Sequence, residues 1–232
     1  MMELYGLIAK FSFLPAEGER QQEYFVPSQL RSPPLDLCEM KISDCDPCPL
    51  YLHFLDGFVP HGLFAQLVSR SIVWCCECNP KTRPKLYQNV AMFSIGKQPI
   101  FDLVLICSKK FIKIVLRSTT DSAAKARAVR VFFEDTLKVM SRELSWLRNL
   151  RYELCVACTH CLECSHQCSR HGFVCCADDD CLCLLPLLLE EHLICPMNFG
   201  VEPVKICGLE KWMLVHEEEV KILSNFDKQE VH

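Results

Sequence analysis

The chain has 232 residues, 50% of them hydrophobic, and a formal net charge of −4. That length suits one large or two small domains with a substantial core, and the mildly acidic balance argues against a generic nucleic-acid surface. Eighteen cysteines are far above ordinary usage and leave two settings: disulfides in an oxidising compartment, or metal among reduced thiols. Met1 to Gly6 form no basic n-region and no small-residue cleavage site follows, so no signal peptide is visible. The longest apolar run, Cys181 to Leu189, is too short to span a bilayer and is broken by Pro186. The expectation is a cytoplasmic chain with reduced thiols, no membrane span and no nucleic-acid partner.

Glu3 to Leu14 carry Leu4, Leu7, Ile8 and Phe11 at helical spacing, and Glu23 to Pro27 read as a strand. Pro33-Pro34 and the Asp/Cys/Pro-rich stretch Ser43 to Pro49 form a linker. Tyr51 to Leu55 is a short apolar strand stopped by the turn pair Asp56-Gly57. Pro60 and Gly62 open a helix on which Leu63, Phe64, Leu67, Val68 and Ile72 share a face, with Gln66 and Ser69 opposite. Three strand-like runs follow, Leu86 to Ile95, Phe101 to Cys107 and Phe111 to Arg117, with loops short enough for antiparallel hairpins. In the last run Ile112, Ile114 and Leu116 alternate with Lys113, Val115 and Arg117, which predicts one wetter face.

Thr120-Asp121-Ser122 then supplies a cap for a helix running to about Leu147. Val129, Phe132, Phe133, Leu137, Met140, Leu144 and Leu147 fall in one stripe, and Arg127, Glu134, Lys138 and Arg142 lie opposite. Glu134 and Lys138 have the i,i+4 spacing of a helix-surface ion pair. Arg151 to Val156 reads as a strand returning to the meander. Residues 50–155 are thus predicted as one α+β unit in the order β-α-β-β-β-α-β.

Tyr24-Phe-Val-Pro-Ser-Gln-Leu30, then Phe58-Val-Pro-His-Gly-Leu-Phe-Ala-Gln-Leu-Val-Ser-Arg70, then Trp74, resemble the COR domain of Roco proteins. That domain has a "vPs-L" segment, a strand, and a "P-Glf-rLi-r" helix leading into a meander. The likeness covers roughly residues 1–155 and looks closest to animal Roco proteins. It implies an α+β fold, a COR-type antiparallel sheet with packed helices. The end of a winged-helix-like N-terminal half would occupy residues 1–35 and the C-terminal half residues 36–155. A small Cys/His-rich, zinc-binding-like insert would take 156–208 and a tail 209–232. It also implies that the chain is a fragment of a longer protein, with a GTPase domain upstream.

From Cys155 to Cys183 the composition changes abruptly. Candidate ligands there are Cys155, Cys158, Cys161, Cys164, His166, Cys168, His171, Cys175, Cys176, Cys181 and Cys183. Cys158-Thr-His-Cys161 and Cys168-Ser-Arg-His171 have a spacing that lets one turn present two donors to a tetrahedral ion at ~2.0–2.3 Å. Structural zinc would staple a polar loop that has little core-forming sequence. The animal Roco insert has a similar run, a CxxC pair, a Cys/His pair and a Cys shortly before a Leu/Pro-rich segment. The resemblance therefore nominates Cys158, Cys161, Cys168, His171, Cys176 and Cys181 as zinc ligands. The neighbouring Cys155, Cys164, Cys175 and Cys183 leave the individual choice open.

Cys45-Asp-Pro-Cys48 and Cys75-Cys76-Glu-Cys78 also have ligand-like spacing, with ordinary loop thiols the plainer reading. A RING-type ligase would need two further regular pairs, which Cys175-Cys176 and Cys181-Leu-Cys183 do not supply. Leu184 to Leu189, Leu193-Ile194 and Val201 to Ile206 offer apolar material for a closing strand, and Gly208 to Trp212 resembles the end of the insert.

The Gly96-Lys97-Gln98 stretch lacks the spacing of a phosphate-cradling loop, and no kinase or nucleophile-elbow motif stands in the sequence. The expectation is a non-catalytic dimerisation and signal-relay module of a Roco-type GTPase, binding no nucleotide itself. Its partners would be the upstream Roc-type GTPase domain and a second copy of the chain. The alternative is a zinc-dependent protein-interaction adaptor, a degenerate ubiquitin-pathway module.

Overall fold

Period-two and period-3.6 patterning organise most of the chain between Leu50 and Ala157 in the computed structural model. The structure describes residues 9–13, 21–34, 42–43, 46–78, 82–96, 100–117, 123–158, 182–185 and 206–213. Its elements are β1 (Ala9–Phe13), β2 (Gln21–Phe25), β3 (Leu50–Phe54), α1 (Leu63–Cys78), β4 (Lys85–Leu86) and β5 (Val90–Ile95). They continue with β6 (Phe101–Cys107), β7 (Phe111–Arg117), α2 (Ala123–Glu143), β8 (Tyr152–Ala157) and β9 (Leu182–Leu184). Short 3-10 turns occupy Pro27–Gln29, Ser145–Leu147 and Leu209–Trp212.

A seven-stranded sheet runs in the order β4-β5-β6-β7-β3-β8-β9, with each neighbouring pair antiparallel. The α+β class and the antiparallel sheet with packed helices are therefore as expected. β6 and β7 occupy the residues that the patterning marks, because the two-residue Lys109-Lys110 turn closes them as a hairpin, with Ser108 N–H donating to the Phe111 carbonyl at 2.9 Å. β8 returns beside β3 rather than at the end of the meander, pairing Leu52 with Leu154 and His53 with Glu153.

One face of the sheet, carrying Leu50, Leu52, Phe54, Leu103, Leu105, Ile112 and Ile114, packs under both helices. Leu63, Leu67, Val68 and Ile72 reach it from α1, and Val129, Phe133, Leu137 and Met140 from α2. Trp74 of α1 stacks on Phe132 of α2 at 4.2 Å.

The second face corrects the expectation of a wetter side. Lys113 is only 3% exposed and Val115 is fully buried. Alternation reports which residues share a face, not whether that face is covered, and β7 lies inside the sheet with β6 and β3 on either side. Val90, Val104, Ile106 and Val115 form one cluster there, with Ile42 and Tyr87 against it. Tyr51, Phe111 and Cys155 form another. The Lys113 ammonium sits 5.5 Å from the Tyr51 ring centre, a cation–π arrangement that lets a buried cation retain a favourable neighbour.

Further corrections are local. Within the helical spacing of Glu3 to Leu14, Ala9–Phe13 is a strand: Lys10 to Phe13 also alternate with period two, and β2 supplies the ladder. The run from Leu86 to Ile95 is two strands, folded back where Tyr87 N–H donates to the Val90 carbonyl at 2.8 Å. Gln66 is buried rather than opposed to the core. α2 stops at Glu143 because Leu144 adopts an extended φ of −105°, and Glu134 pairs with Arg130 at 3.1 Å while Lys138 pairs with Asp135. The Thr120-Asp121-Ser122 cap lies outside the described residues.

Residues 206–213 pack on α2, so the expected tail from 209 contributes to the core as far as Met213. Trp212 is fully buried, and Arg130 Nη1 donates to its carbonyl at 2.9 Å. Among the described residues no helix is long and apolar enough to cross a membrane.

Candidate metal centre

Strand register brings together a donor set that neither strand holds alone. His53 stands opposite Glu153 across the β3–β8 ladder, and Cys155 lies two residues on, so all three share the second face. Their ligand-capable atoms lie within 4.8 Å of one another. His53 and Glu153 are half-buried, whereas Cys155 is buried beside Tyr51 and Phe111, whose rings meet edge-on at 5.1 Å. Burial pushes the Cys155 thiol up to about 12, and the Glu153 carboxylate adds to that rise. The group combines an imidazole, a carboxylate and a thiol, the donor types that bind zinc and related ions.

Of the ligands nominated from the sequence, Cys158 is within the described residues and lies in the helix-covered core. It follows Val156 by two residues, and Val156 faces Cys183 across the β8–β9 ladder. Cys158 and Cys183 thus belong to the helix face, and Cys155 to the other. Cys161, Cys168, His171, Cys176 and Cys181 lie outside the described residues. Cys75 and Cys76 ride on α1, packed in or against the core.

Cys48 instead lies against the C-terminal segment. Burial pushes its thiol up to about 12, helped by Glu210 and Cys207. Its carbonyl accepts the Trp212 indole N–H at 2.6 Å.

His53 and Glu153 escaped the sequence reading because each stands within a strand-like apolar run. The signal was there in principle: Tyr51-Leu-His53 and Glu153-Leu-Cys155 each alternate, so a paired register would place the donors side by side. Their pairing is a long-range event, which spacing along the chain does not encode.

A separate surface feature sits where β3 leaves the sheet. Leu55, Phe58 and Trp146 are 45%, 55% and 41% exposed. The turn carrying Leu55 and Phe58 is tied down by Leu55 N–H to the Arg151 carbonyl and Val59 N–H to the Lys109 carbonyl. The Trp146 ring comes within 3.7 Å of where a β-carbon would stand on Gly62, at the start of α1. Lys109 and Lys110, whose carbonyls accept from the Val59 and Phe54 N–H groups, are exposed, as are Arg148 and Arg151 after Trp146, and Arg151 pairs with Asp56. No family model, curated protein or solved structure matches the chain.

Proposed function

We propose that the chain is the non-catalytic dimerisation and signal-relay module of a Roco-type GTPase protein, resembling the COR domain. In this reading the GTPase domain is supplied from outside these residues, and the cysteine-rich segment holds structural zinc through four ligands drawn from Cys158, Cys161, Cys168, His171, Cys176 and Cys181. The observation that carries the reading is the exposure of Phe58 and Trp146 around the start of α1. That is the segment in which the sequence resemblance is most specific. Exposed aromatic side chains are favoured anchors of interaction surfaces, since ring burial contributes strongly there. The relay consists of a coupling free energy between the nucleotide site of the GTPase domain and this contact.

Sedimentation velocity of the chain, alone and joined to a Roc-type GTPase domain, tests the proposal at tens of micromolar. A dimer is expected, and Phe58→Ser with Trp146→Ser should return it to monomer. Monomer in both forms across that range overturns the dimerisation role. Calorimetry with GTP should give no heat of binding for the chain alone; saturable GTP binding would contradict the non-catalytic reading.

A further inference from the structure

We propose that His53, Glu153 and Cys155 bind one zinc-class divalent ion on the second face of the sheet, separately from the ligands of the cysteine-rich segment. The three donors come from two hydrogen-bonded strands whose register is fixed by Leu50–Val156, Leu52–Leu154 and Phe54–Tyr152 on the core side. A slip of one residue would turn those apolar side chains out of the core, so the donors are held on one face. Tetrahedral bonds of about 2.0–2.3 Å require donor–donor edges of about 3.3–3.8 Å. The observed spread, within 4.8 Å, exceeds the upper end of that range by about 1 Å, a distance on the scale of a side-chain rotation.

The donor chemistry selects the ion. Magnesium and calcium take oxygen shells, whereas a thiolate with an imidazole favours zinc or cobalt. Binding is balanced by a proton: the ion replaces hydrogen on Cys155 sulfur, the proton leaves to solvent, and imidazole and carboxylate donate lone pairs. Half-exposed His53 and Glu153 give the ion a route in, and the buried sulfur lies shielded beside Tyr51 and Phe111. With three protein donors, water completes the tetrahedron. The ion would cross-link β8 to β3 at the strand from which the cysteine-rich segment departs.

The test uses the reduced full chain, stripped of metal and titrated with Co(II), then zinc, with content read by mass spectrometry. The parent background carries Cys161→Ser, Cys168→Ser, His171→Ala and Cys176→Ser, which leaves the cysteine-rich segment only two of its six nominated ligands. About one equivalent should remain in that background, with a thiolate-to-cobalt charge-transfer band. His53→Ala, Glu153→Gln and Cys155→Ser should each lose that equivalent or weaken it at least about a hundredfold, beyond the loss typical of a group that merely orients a ligand. Glu153→Gln is nearly isosteric on a half-exposed residue and decides the matter if Cys155→Ser fails to fold. Equal metal content in the background and in His53→Ala or Glu153→Gln overturns the proposal. Loss of all metal in that background overturns it too, while leaving the zinc of the cysteine-rich segment intact as a reading. Retention there, sensitive to His53, supports it whatever that segment binds.

Discussion

Trp212 donates its indole N–H to the Cys48 carbonyl at 2.6 Å, joining the residues that lead into β3 to the segment that closes over α2. The ring is fully buried in the main core, and the Trp212 carbonyl in turn accepts from Arg130. One side chain therefore bridges positions 164 residues apart in sequence. Trp212→Ala should cost about 3–5 kcal/mol, the range for emptying a large aromatic site. Trp212→Phe keeps most of the ring but orphans the carbonyl, for about 1–3 kcal/mol. Urea midpoints at constant slope check both. A midpoint unchanged by either variant would mean that residues 206–213 lie outside the cooperative fold.

Gly208 and Gly57 give a matched pair. Both have positive φ, +79° and +78°. A β-carbon on Gly208 would stand 2.7 Å from the Asp46 carbonyl oxygen and 3.0 Å from the Cys48 nitrogen, both backbone atoms, whereas one on Gly57 meets nothing within 4 Å. Gly57→Ala should cost only the left-handed backbone penalty, about 1–2 kcal/mol. Gly208→Ala adds displacement of the 46–48 backbone and should lower the melting temperature clearly further. Equal shifts in calorimetry would refute the close approach.

Alkaline pH should destabilise the fold through its buried thiols. Burial raises Cys107 from 9.0 to about 11, and raises Cys48 to about 12 with help from Glu210 and Cys207. In the unfolded chain both thiols ionise near 9.0 while the folded chain keeps them protonated, so the unfolded state binds fewer protons and stability falls as pH rises. The loss begins near pH 9 and continues towards the folded values. Tyr152 is raised as well, by burial and then by Glu134 and Asp135, and acts in the same direction. Urea midpoints at pH 8 and pH 10.5 should separate, and Cys107→Ala should narrow the gap. A gap unaltered by that change would assign the effect elsewhere.

Arg130 is buried, holding Glu134 at 3.1 Å and the Trp212 carbonyl at 2.9 Å. Glu134→Leu leaves the guanidinium without its carboxylate and should cost about 3–5 kcal/mol. Arg70→Ala breaks a far more exposed pair with Glu143 and should cost about 1 kcal/mol or less. Chemical denaturation of the two variants checks the contrast; comparable losses would mean that Arg130 is screened as well as Arg70 is.

β6 and β7 were legible to the residue because both are apolar runs closed by a two-residue turn. Both helices were legible from their stripes, yet α2 was drawn too long because Leu144 continues the spacing after the backbone has turned extended. The second face was illegible. Lys113 reads as a solvent residue in any strand, and only the covering of that face turns it into a buried cation over Tyr51. The metal candidate was missed for the same reason as the β3–β8 neighbourhood: His53 and Glu153 are 100 positions apart and meet through register, which no local spacing announces. Of the nominated cysteines, the one described, Cys158, stands on the helix face, where spacing along the chain gave no hint of it.

The outermost strands of the seven-stranded sheet are β4, with two residues, and β9, with three. Each leaves a ladder only a few hydrogen bonds long for an incoming chain to extend, and short flanks of this kind resist strand addition. Among the described residues, the flanks of this sheet are therefore poor places for another chain to add a strand.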